Sequence, residues 1–97
     1  MDLSTYKHSL THDEPPCGLS PALEALWWDA KGDWDKAHAR AQEDDGAAGA
    51  WVHAYLHRKE GNAGNARYWY GQAGRPPVRV APLEAEWGEI VRALLGA

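Results

Sequence analysis

The chain has no phenylalanine, one methionine and one cysteine, and its apolar runs are short. With Cys17 alone no internal disulfide can form, so packing has to hold the fold, as suits a reducing compartment. No stretch approaches the roughly 20 apolar residues that cross a bilayer. The opening MDLSTYKHSLTHDEPP also lacks the apolar segment of a secretory signal. These absences point to the cytoplasm and away from a membrane partner. Absent too are a Ser-His-Asp order, a phosphate-cradling glycine loop, a dinucleotide fingerprint, a Cys-x-x-Cys pair and a His-Glu-x-x-His helix. Catalysis has few places to reside, and the expectation leans against an enzyme.

What is present is tryptophan. Six indoles (Trp27, Trp28, Trp34, Trp51, Trp69 and Trp87) and four tyrosines sit in a chain of 97 residues, enough for one domain. A core of this kind packs large rings on alanine, each buried aromatic contributing roughly 150–250 Å². Every buried indole N–H then needs a partner. Charge is uneven along the chain. Residues 1–50 hold ten acids and four bases, residues 51–80 five bases and one acid, and the remainder three acids and one base. The middle is a basic island able to attract an anion, whereas the overall pI near 5.6 argues against nucleic acid.

Punctuation by capping residues predicts an all-α chain of antiparallel helical hairpins. Residues 1–19, rich in Pro and Gly and without periodicity, read as an extended N-terminal arm, and residues 20–97 as a single helical domain. Ser20 caps a first helix with Pro21 at its first position and Leu23, Leu26 and Trp27 on one face, stopped by Gly32. Asp33 caps a second over residues 34–43, and a third covers 47–60. After Gly61, Asn62 caps a fourth over 63–73, which Gly74, Pro76 and Pro77 end. Residues 78–80 are extended. A last amphipathic helix over 82–95 carries Leu83, Trp87, Ile90, Val91, Leu94 and Leu95. That stripe either packs internally, bringing Trp69 against Trp87, or faces a second copy, so monomer and homodimer are both open.

Two segments match at an offset of 29 residues. Lys31-Gly32-Asp33-Trp34-Asp35-Lys36-Ala37 falls on Glu60-Gly61-Asn62-Ala63-Gly64-Asn65-Ala66, with Leu23 on Val52, Ala25 on Ala54 and Trp27 on Leu56. Each copy has a Gly that ends one helix, an Asp or Asn that caps the next, and an Ala where two helices approach closely. These hairpins, 21–44 and 47–74, resemble tetratricopeptide-type repeats, the Sel-like variety in particular. The likeness rests on the Gly-Asp-aromatic-x-x-Ala pattern and on Tyr55-Leu56 with Ala66, Trp69-Tyr70 and Ala73-Gly74. The spacing is shorter than the standard repeat of about 34 residues, and two units are fewer than the usual three, which assigns the last helix a capping role.

The resemblance implies a small binding or adaptor module that takes a peptide or other anionic ligand in a groove. Its residues would be Trp28, His53, His57, Arg58, Lys59 and Arg67, with guanidinium and ammonium groups gripping an acidic protein or peptide partner while rings pack against apolar parts. The bland counterpart is a solvated helix face. The residues themselves offer an alternative. His53 and His57 stand at i and i+4 on one helix face, a spacing that chelates zinc or another divalent metal. His8 and His12 share the spacing. A third ligand has to come from elsewhere: Asp13, Glu14 or Cys17 of a folded-back arm, or His38. Asp29, Asp33 and Glu60 are the candidate acids, with Asp29 expected as a polar position on an amphipathic helix, Asp33 as a cap and Glu60 at a helix end.

Overall fold

Short polar side chains set where four of the helices begin. Asp2, Ser20, Asp33 and Asn62 each accept a hydrogen bond from the backbone N–H three residues on, satisfying a donor that the first turn leaves orphaned. The structure, a computed structural model, describes residues 1–96. It is all-helical among them: α1 Leu3–Ser9, α2 Pro21–Ala30, α3 Trp34–Gln42, α4 Ala47–Lys59, α5 Ala63–Ala73 and α6 Leu83–Leu95. Four of these match the expected helices to within a residue or so, and α6 begins one residue after Pro82.

Two turns share one geometry. Gly32 and Gly61 take φ of 86° and 89°, and the N–H of the following residue reaches back to close the helix, from Asp33 to the Trp28 carbonyl and from Asn62 to the His57 carbonyl. Short turns of this kind let α2 pack along α3 and α4 along α5, with α3 also lying against α4. Ala37, Ala41, Ala54 and Ala66 are buried in these contacts, where a larger side chain would hold the helices apart.

The N-terminal segment departs from expectation. Residues 1–19 are not wholly an extended arm: α1 forms within them and sends Tyr6 into the core, fully buried, its hydroxyl donating to the Leu23 carbonyl at 2.6 Å. Seven residues are too few for a helix to be stable alone, so the burial of Tyr6 and the Asp2 cap hold it in place. The last helix also docks differently. It packs on α4, α2 and α1, so Trp87 meets Tyr6 at 5.7 Å between ring centroids, and Trp69 lies elsewhere. Trp87, Ile90 and Val91 are buried within the chain.

Three of the six indoles find acceptors. Trp27 donates to the Ser9 hydroxyl, Trp34 to the Leu56 carbonyl and Trp87 to the Leu26 carbonyl at 3.0–3.2 Å. No helix among the described residues is long and apolar enough to cross a membrane.

Candidate metal centre

Two elements bring three imidazoles together. The i, i+4 spacing on α4 stacks His53 and His57 at 5.9 Å between centroids, 18° from parallel. Packing of α3 against α4 inserts His38 edge-on to both, at 4.9 Å from His53 and 5.4 Å from His57. One ring nitrogen from each of the three lies within 4.8 Å of the others. The third imidazole beside the pair therefore belongs to α3 and not to the N-terminal segment, where His8, His12 and Cys17 remain exposed.

Tryptophans frame the cluster. Trp69, from α5, lies flat on His53 at 4.2 Å, and Trp34, one turn before His38, stacks on that ring at 4.8 Å. The His38 and His53 rings are thus each stacked against a half-buried indole packed on the core. His57 is fixed differently: its Nδ1 meets Glu60 Oε1 at 2.6 Å. With a carboxylate accepting from Nδ1–H, the Nε2 lone pair is left as the donor available to a cation, the arrangement common around zinc-bound histidine.

His53 is the anomaly in this cluster. It is only 4% exposed, and its buried Nδ1 has no hydrogen-bond partner. An unsatisfied buried polar atom costs about 1–3 kcal/mol, and a native fold rarely carries one without cause. Burial, followed by the neighbouring His38 and His57 rings, pulls the His53 pKa down to about 4. His38 is lowered too, by burial and then by His57. At neutral pH both rings are therefore uncharged and present lone pairs, the form a metal requires.

One flank is open. A cavity of about 470 Å³ borders His53 and Trp69, with Asp44, Asp45, Gln42 and Gln72 around it. Its carboxylates favour a cation beside the imidazoles. Three nitrogen donors, an outer carboxylate and an open side form a donor set that fits zinc with one position left for water. Zn–N bonds of about 2.0–2.1 Å would place ligand nitrogens about 3.3 Å apart, inside the 4.8 Å that encloses these three.

The other expected ligand residues lie apart from the histidine cavity, with Arg58 and Arg67 bordering a second one. Arg58 donates Nε to buried Glu86 at 3.1 Å and Nη2 to the Ala81 carbonyl. Lys59 pairs with Asp29 at 2.8 Å. Asp29 itself is buried beneath Lys59 and Tyr55, not displayed on a polar helix face, whereas Asp33 is the cap it was expected to be. Trp28 is half-buried on α2 under the Lys36 ammonium, and Arg67 is exposed on α5. Trp28, Arg58, Lys59 and Arg67 thus form no single face with the histidines. Sequence reasoning gave no role to Trp34 or Trp69 beside these rings; the Trp34-x-x-x-His38 spacing, one helical turn, was the available signal.

Comparison with models of protein families, with curated proteins and with solved structures finds no match.

Proposed function

We propose that the protein binds a divalent transition metal of the zinc class through His38, His53 and His57. The observation that carries this is the unpartnered Nδ1 of buried His53 inside a cluster of three imidazoles. Coordination through Nδ1 would supply the partner that the fold withholds. The Glu60 contact to His57 and the flanking Trp34 and Trp69 are the supports such a site needs. His38, His53 and His57 would hold the metal, which would supply Lewis acidity toward a molecule entering from the open flank beside His53.

The test is zinc content per chain after loading and exhaustive dialysis, with the melting temperature followed in parallel. One zinc per chain is expected in the wild type, together with stabilisation of about 2.7 kcal/mol at a free zinc concentration 100 times Kd. His38→Ala, at a half-buried position, should stay folded by circular dichroism and lose the metal. A folded wild type that retains no zinc and does not respond to it overturns the proposal.

The like geometry at Gly32 and Gly61 also supports a tetratricopeptide-like origin for the two helix pairs, and with it an adaptor role. The two readings are compatible, since a metal can rigidify a two-hairpin scaffold.

A further inference from the structure

A second cavity, of about 300 Å³, opens on the other side of α5 between that helix, the end of α4 and the connection to α6. Three guanidinium groups line it: Arg58, Arg67 and Arg79. No acidic side chain does, in contrast to the aspartates at the histidine cavity. Arg58 is already balanced by Glu86 and anchored by the Ala81 carbonyl, so its guanidinium is held in place. Arg67 and Arg79 are exposed and make no ion pair among the described residues, which leaves two uncompensated cations at the rim. The floor is apolar and aromatic, built from Ala66, Tyr70 and Val78. Gly61 and Ala63, at the start of α5, complete the wall, adding the positive end of that helix to the charge of the arginines.

We infer that this cavity binds an organic carboxylate with a short apolar body, its carboxylate held by Arg67 and Arg79 and its hydrocarbon portion laid over Ala66, Tyr70 and Val78. The planar fork of a guanidinium matches a carboxylate with two parallel hydrogen bonds, and two such groups over an apolar floor select a molecule that is charged at one end only. A compact inorganic anion satisfies the arginines and leaves the floor wet. A neutral hydrocarbon does the reverse. The cavity shares no lining residue with the one beside His53 and opens on the opposite side of α5.

The test is a titration of the metal-free full chain with hexanoate, with inorganic phosphate in parallel, followed by amide chemical shifts. Hexanoate should give saturable shifts at Gly61, Ala63, Arg67 and Val78, and phosphate should bind at least ten-fold more weakly. The double variant R67E/R79E, at two exposed positions, should keep the helical spectrum and bind hexanoate at least ten-fold more weakly than the wild type. Absence of saturable shifts overturns the inference, as does unchanged affinity in the folded double variant. Phosphate binding as tightly as hexanoate overturns the role given to the apolar floor.

Discussion

His57 and Glu60 meet at 2.6 Å, Nδ1 to Oε1, across the last turn of α4. The pair is local, three residues apart, and survives any change that leaves the helix intact. Its effect is on the tautomer of His57 more than on folding. Glu60→Gln keeps the shape and a hydrogen-bonding oxygen but removes the charge that makes the His57 ring a better donor. Zinc affinity should fall about 10–100-fold, with little change in the melting temperature of the metal-free chain. Competition against a chromogenic chelator measures it, and equal affinity would remove Glu60 from the site.

His53 makes metal-free stability depend on pH. In the unfolded chain its ring titrates near 6.5, and in the folded chain near 4. Between those values the unfolded state binds the extra proton. This contribution is complete above about pH 6.5 and is lost as pH falls, reaching about 3 kcal/mol near pH 4. His38 adds in the same direction, while Glu86, raised by burial, acts in the opposite sense. The difference between wild type and His53→Gln isolates the effect. Urea unfolding with a chelator present should show the wild type losing ground to the variant as pH drops from 7 to 4.5; a constant difference would show that the ring is not held neutral.

Gly49 and Gly64 should respond oppositely to alanine. A Cβ at Gly49 would lie 2.0 Å from the Asp44 carbonyl oxygen, so the turn at the mouth of the histidine cavity has to shift. Gly49→Ala should cost about 1–3 kcal/mol. At Gly64, inside α5, a Cβ meets open space, and Gly64→Ala should stabilise by about 0.5–1 kcal/mol through helix propensity. Thermal melts of the two variants decide both.

Helix ends were legible because capping is local chemistry: Ser20, Asp33 and Asn62 open helices, and Gly61 and Gly74 lie at the ends of α4 and α5, as their residue types predict. The first helix was not legible. Leu3–Ser9 has one buried residue, and its partners, Leu23 and Trp27 of α2 and Trp87 of α6, are out of reach of any local pattern. The His53 and His57 pair could be read from spacing, but the convergence of His38 depends on how α3 docks. For the same reason Arg58 and Lys59 looked free. Their partners, Glu86 and Asp29, stand 28 and 30 residues away in sequence.

The contact of Tyr6 with Trp87 joins the first helix to the last, so nearly the whole chain is the loop that this one ring pair closes. The two ends of the chain therefore depend on each other: loss of Tyr6 uncovers the Trp87 ring that α6 lays against it, and loss of α6 uncovers Tyr6.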